Sequence, residues 1–143
     1  MKKIILILII VLTYALSVKA QTLTIKITEI KSTKGQIRLA FFQSQDDLSN
    51  ETPSFAKYIG KSKLKNGAIT VKYTDIKKGK YGIALLDDED CDGLMKYAFY
   101  VPREGFGFSN YKHKGMKKPK FNDFCFDYDG GDMIIYIEVR YIM

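Results

Sequence analysis

Five of the six residues from 87 to 92 are acids: Asp87, Asp88, Glu89, Asp90 and Asp92. They follow the apolar pair Leu85-Leu86 and run into Gly93. Carboxylates packed this closely repel one another unless they are fully solvated or gathered round a cation. Asp88, Asp90 and Asp92 stand at alternate positions, and Gly93 supplies a sharp turn. That is the D-x-[DN]-x-[DN]-G opening of a calcium loop, in which a hard cation takes side-chain oxygens from positions 1, 3 and 5 and a backbone carbonyl at 7, here Leu94. The twelfth position, a bidentate Glu in a helix-loop-helix site, is Phe99, so this is no EF-hand. The last ligand must come from elsewhere, and Glu104 and Asp87 are the near candidates. The alternative is an acidic, water-filled turn at the end of a strand.

A second group is aromatic. Gly105-Phe106-Gly107-Phe108-Ser109-Asn110 sets two glycines between two phenylalanines, with Tyr111 next. Phe106, Phe108 and Tyr111 suit a stacking platform for a sugar or a peptide partner. Packing against the end of a β domain is the stronger reading, for these rings and for Tyr97, Phe99 and Tyr100. The basic stretch Lys112-His113-Lys114-Gly115-Met116-Lys117-Lys118-Pro119-Lys120 reads as a solvated loop, with an anionic lipid or polysaccharide as the alternative partner. Catalytic signals are thin. His113 is the single histidine, Ser109 lacks a G-x-S-x-G setting, and a His/Cys zinc site lacks ligands. Clustered carboxylates suit a cation better than the separated acid and base of a hydrolase.

The chain opens Met1-Lys2-Lys3, continues through an apolar run from Ile4 to Leu12, and reaches Val18-Lys19-Ala20. This pattern predicts a secretory signal peptide over residues 1–20, cleaved after Ala20, and one domain over residues 21–143. The apolar run is shorter than the roughly 20 residues a spanning helix needs, and no later stretch is long enough. The expectation is an exported protein, periplasmic or extracellular, with no transmembrane segment after cleavage. Cleavage removes three lysines and no acid, so the formal charge falls from +7 to +4. That is an ordinary surface and not a nucleic-acid footprint. The two cysteines, Cys91 and Cys125, suggest a disulfide in an oxidising compartment, with two unpaired thiols as the alternative.

Residues 21–143 must position these groups, and they read as β throughout. Residues 22–28 alternate, with Leu23, Ile25 and Ile27 on one face. Lys34-Gly35 turns the chain into 36–41, where Ile37, Leu39 and Phe41 point inward, and the pair reads as a hairpin. Residues 43–53 are polar and read as a loop. Residues 54–59 fit either a helical turn or a strand. Asn66-Gly67 predicts a tight turn between 61–64 and the alternating 68–73. Residues 80–85 form a strand in which Gly82 and Ala84 alternate with Tyr81, Ile83 and Leu85, as in a strand closely covered on one side. Residues 95–101 read as extended, 121–128 as a strand, 129–132 as a hairpin turn and 133–141 as a closing strand with Ile135, Ile137, Val139 and Tyr141 inward. About seven short strands with almost no helical periodicity predict an all-β, two-sheet β-sandwich.

Three strings together are similar to a known family: Gly79-Lys80-Tyr81-Gly82-Ile83-Ala84, then Asp88-Glu89-Asp90-Cys91-Asp92-Gly93, then Pro102-Arg103-Glu104-Gly105-Phe106-Gly107-Phe108-Ser109-Asn110. The chain resembles the DUF2141 family over nearly all of residues 21–143. The resemblance implies an exported Ig-like or prealbumin-like β-sandwich with no established activity. The family pattern D-E-N-x-N-G-x-x-D carries Asn where this chain has Asp90 and Asp92, and its closing acid falls at Lys96. The lysine cannot ligate a cation and is placed to neutralise part of the loop. Cys91 and Cys125 stand outside that pattern. Taken together, the expectation is a non-enzymatic exported β-sandwich with a structural calcium turn, and a carbohydrate- or peptide-binding module on the residue 105–110 loop as the alternative. An unidentified protein or glycan partner fits either.

Overall fold

The structure is a computed structural model and describes residues 21–142. The expected signal peptide, residues 1–20, lies outside the described residues. Ten strands and two short helices follow in order: β1 (Leu23–Thr28), β2 (Gln36–Phe42), α1 (Gln45–Ser49), β3 (Phe55–Gly60), β4 (Ile69–Tyr73), β5 (Gly79–Asp88), β6 (Tyr97–Ala98), β7 (Val101–Pro102), β8 (Gly105–Phe108), α2 (Phe121–Phe124), β9 (Cys125–Tyr128) and β10 (Met133–Glu138). They form two open sheets and one small hairpin. The first sheet has the order β10-β1-β4, with β1 and β10 parallel and β1 and β4 antiparallel. The second has the order β3-β2-β5-β8, and β9 pairs with the early half of β5. The hairpin is β6-β7. Among the described residues no helix is long and apolar enough to cross a membrane.

The alternation read from the sequence determines which face each strand buries. Leu23, Ile25 and Ile27 of β1, Ile135 and Ile137 of β10, Ile37, Leu39 and Phe41 of β2, and Tyr81, Ile83 and Leu85 of β5 meet in one buried cluster. The second sheet is covered on its other face too. Ala40, Phe42, Leu48, Phe106, Phe108, Phe121 and Phe124 form a second cluster there. Burial on both faces is why β5 is a near-continuous apolar run rather than a clean alternation. Gly82 lies beneath α2, where a Cβ would stand 2.6 Å from the Phe124 ring.

Several expected pairings are corrected. β1 and β2 do not form a hairpin: they lie in different sheets, and residues 29–35 carry the chain across. Their inward residues face each other through the core, which alternation alone cannot distinguish from lying side by side. The Asn66-Gly67 turn forms, with both residues at positive φ and Lys65 and Ala68 exchanging backbone hydrogen bonds of 3.0 and 2.9 Å. It extends no further, because Lys61–Lys63 is a 3-10 turn and β3 joins the other sheet. Residues 129–132 likewise connect two sheets. The polar stretch at 43–53 contains α1, whose N-terminus is capped by Ser44 Oγ accepting from Asp47 N at 3.1 Å. Residues 121–124 are helical, so the expected strand begins only at Cys125. Phe99 and Tyr100 do not pack. They form the tip of the β6-β7 hairpin, 98% and 96% exposed, with Tyr97 beside them at 58%.

The two sheets are joined at one corner. Phe106 and Arg140 exchange backbone hydrogen bonds of 2.9 and 2.7 Å, so β8 also pairs with the chain that leaves β10. This corner sets where the acidic turn and its neighbours stand.

Candidate metal centre

The acidic turn, residues 89–96, runs from the end of β5 to the start of the β6-β7 hairpin. Two buried carboxylates hold its backbone. Asp88 is fully buried and faces Gln36 across the β2–β5 pairing. Its Oδ1 accepts from Asp92 N at 3.1 Å, and its Oδ2 accepts from Gly93 N at 3.1 Å and Gln36 Nε2 at 2.8 Å. Glu104, 7% exposed, stands one residue before β8. Its Oε1 accepts from Glu89 N and its Oε2 from Lys96 N, both at 3.3 Å. Four amides of one turn are therefore satisfied by two carboxylates, one on each flank. Cys91 and Gly93 take positive φ to make this possible, at 63° and 75°.

Of the sequence-derived ligands, Asp88, Asp90 and Glu104 are brought together, with one carboxylate oxygen from each lying within 4.8 Å of the others. Asp92 is not part of the group. Its Oδ1 accepts from Leu94 N at 2.8 Å, an Asx turn, and its Oδ2 stands 3.4 Å from Lys96 Nζ. Leu94 extends its side chain into solvent at 68% exposure. Lys96 Nζ also pairs with Asp90 Oδ2, the neutralising contact expected at that position.

The other near candidate, Asp87, faces the opposite way and has a different role. It is fully buried and pairs with Lys61 Nζ, and it accepts from the Tyr141 hydroxyl. Lys61, itself buried, also donates to Ser32 O at 3.0 Å and Lys34 O at 2.5 Å. Lys31 N donates to the Tyr141 hydroxyl at 2.9 Å. Burial and the Asp87 carboxylate hold the Tyr141 phenol well above its usual range. Lys61 was not singled out in the sequence. The available signal was Asp87 itself, an acid in phase with the inward residues Tyr81, Ile83 and Leu85, which requires a buried partner.

The expected Cys91–Cys125 disulfide is not formed, and both residues are free cysteines. Cys125 lies opposite Gly82, whereas Cys91 follows the far end of β5 at Asp88. Six residues of extended chain separate those points by about 20 Å, while a disulfide needs Cα atoms about 4.4–6.8 Å apart.

The aromatic string serves the joined corner. Phe106 and Phe108 are each 8% exposed, in T-shaped contact with each other, so they offer no open stacking platform. Tyr111 is half-buried, and the His113 ring stands 5.8–6.3 Å from Phe106, Phe108 and Tyr111. Glycine is needed at 105 and 107 because β8 passes close beneath β10: a Cβ would lie 2.7 Å from Val139 Cγ1 and from Glu138 O respectively. Ser109 is fully buried, and its Oγ accepts from Ile83 N at 2.9 Å and donates to Phe124 O at 2.6 Å. Asn110 ties β8 to β10, with its N donating to Tyr136 O at 2.8 Å and its Oδ1 accepting from Tyr136 N at 2.9 Å.

Residues 25–136 match the model of a family described as an uncharacterized protein conserved in bacteria, DUF2141. No curated protein and no solved structure matches the chain.

Proposed function

The chain belongs to the DUF2141 family, and from that premise we propose that it is an exported, non-enzymatic β-sandwich of the Ig-like or prealbumin-like kind, with an acidic turn that binds calcium structurally. The observation that supports this is the convergence of Asp88, Asp90 and Glu104 oxygens within 4.8 Å. Calcium takes oxygen ligands at about 2.4 Å, so two ligands on opposite sides of the ion stand about 4.8 Å apart. The three groups come from two separated segments, and a shared cation ties the turn to the start of β8. Backbone carbonyls and water supply the remaining ligands of such an ion. Lys96 occupies the cation's electrostatic place against Asp90, so binding displaces the ammonium and the affinity is modest. A dissociation constant of about 10⁻⁴–10⁻³ M is the range of extracellular calcium modules.

Thermal melts in chelator and in about 5 mM calcium test this, because a ligand that binds only the folded state raises its stability. The expected result is an upward shift in calcium that Asp90→Ala removes and Lys96→Gln enlarges. Asp90 is the informative position because it is exposed and holds little of the turn's backbone, unlike Asp88. A melt insensitive to calcium in all three proteins leaves a solvated turn and defeats the reading.

A further inference from the structure

At the corner where β8 meets the chain leaving β10, a cavity of about 330 Å³ opens. That is the small end of the range for pockets that enclose a small molecule. Its charge is unbalanced. Lys31, Lys112, Lys114 and Arg140 line it against only Glu29 and Glu138. Lys112 and Glu138 neutralise each other at 2.5 Å, and among the described residues no carboxylate is paired with Lys31, Lys114 or Arg140. Arg140 is already held in place. Its Nη1 donates to His113 O at 3.0 Å and Gly115 O at 2.8 Å, and its guanidinium stands 6.0 Å from the Phe106 ring centre. A fixed guanidinium loses little rotamer freedom on meeting a carboxylate and matches it with a planar fork of donors. Lys31 Nζ stands over the Tyr141 ring at 5.0 Å.

The remaining wall is aromatic, from Phe106, Tyr111 and Tyr141. His113 lines the cavity as well, and its buried Nδ1 has no hydrogen-bond partner. Excess positive charge selects an anion, aromatic side chains in the wall suit the C–H face of a sugar ring, and the volume limits the ligand to one or two rings. We propose that this cavity binds a small sugar acid, a pyranose carrying a carboxylate, with Arg140, Lys31 and Lys114 meeting the carboxylate. This site is separate from the acidic turn and needs no calcium.

Calorimetric titration of the full protein in chelator, which keeps the result independent of the calcium reading, tests it with glucuronate, glucose and inorganic phosphate. The expected result is glucuronate binding at about 1 mM or tighter, weakening as salt is raised, with glucose silent and phosphate at least fivefold weaker. Lys31→Gln with Lys114→Gln weakens glucuronate at least fivefold. Neither ammonium has a carboxylate partner, and a melt confirms that the variant is folded. Lys118→Gln, in the same basic stretch but outside this cavity, leaves binding unchanged. Glucose or phosphate binding as tightly as glucuronate overturns the proposal, as does a silent glucuronate titration up to about 10 mM or an unaffected Lys31/Lys114 double variant.

Discussion

Asp87 and Asp88 are neighbours, both fully buried, and serve opposite faces of one strand. Asp87 ends the inward row of β5 and meets Lys61 and Tyr141, whereas Asp88 faces the turn and holds its amides. A buried ion pair is sustained by its partners, and removing one leaves the other charge uncompensated. Lys61→Met is therefore expected to destabilise the protein by about 3–5 kcal/mol. Lys61→Met combined with Asp87→Leu is expected to recover most of that loss, since neither charge is then buried alone. Urea denaturation of the two single variants and the double variant reads the coupling. The metal reading divides along the same line: Asp88 and Glu104 build the turn, and Asp90 is the ligand that can be removed without dismantling it.

At the scale of elements, the string from Gly105 to Asn110 is a joint between strands. β8 pairs with Ala84 to Asp87, and β9 pairs with Gly79 to Gly82, so both lie along one edge of β5 with a gap opposite Ile83. The Ser109 hydroxyl fills that gap, taking the Ile83 amide and giving its proton to the Phe124 carbonyl. Ser109→Ala is expected to cost about 1–3 kcal/mol, the cost of leaving such groups unmade, and to accelerate hydrogen exchange at the Ile83 amide specifically. The string was legible as distinctive, but its purpose was not, because the partners of Ser109 and Asn110 lie on strands remote in the chain. The faces of β1 and β10 were legible from alternation, since period two identifies the buried side, whereas β5 and the later half of β2 are buried on both faces and alternation shows only which residues share a face. Strand neighbours were not: a strand that faces another across the core and one that lies beside it share the same pattern. The acidic turn was legible through Asp88, Asp90 and Glu104. Asp92 stands outside the group, its carboxylate turned to the Leu94 amide and the Lys96 ammonium, a local Asx turn that the alternate spacing of the acids does not reveal.

At the scale of the molecule, β8 connects the two candidate sites. Gly105 pairs with Asp87 beside the acidic turn, and Phe106 lines the basic cavity. The two sites differ in sign, one built from carboxylates and the other lined mostly by lysine and arginine. Two of the three hallmark strings supply close approaches between layers, Gly82 beneath α2 and Gly105 and Gly107 beneath the chain of β10, while the third is the acidic turn at the end of β5.

The parallel pairing of β1 with β10 also bears on the order of folding. Thr22 and Asp132, which clasp the start of this pairing, are 110 residues apart. β1 sits between β10 and β4, so it has no complete place until the last strand arrives. Closing so long a loop is slow, and chains dominated by such contacts fold in about milliseconds to seconds. The first strand of the domain is thus among the last to settle. Pulsed hydrogen exchange during refolding is expected to protect the amides of β2 and β3 first, and those of β1 and β10 together in a later phase.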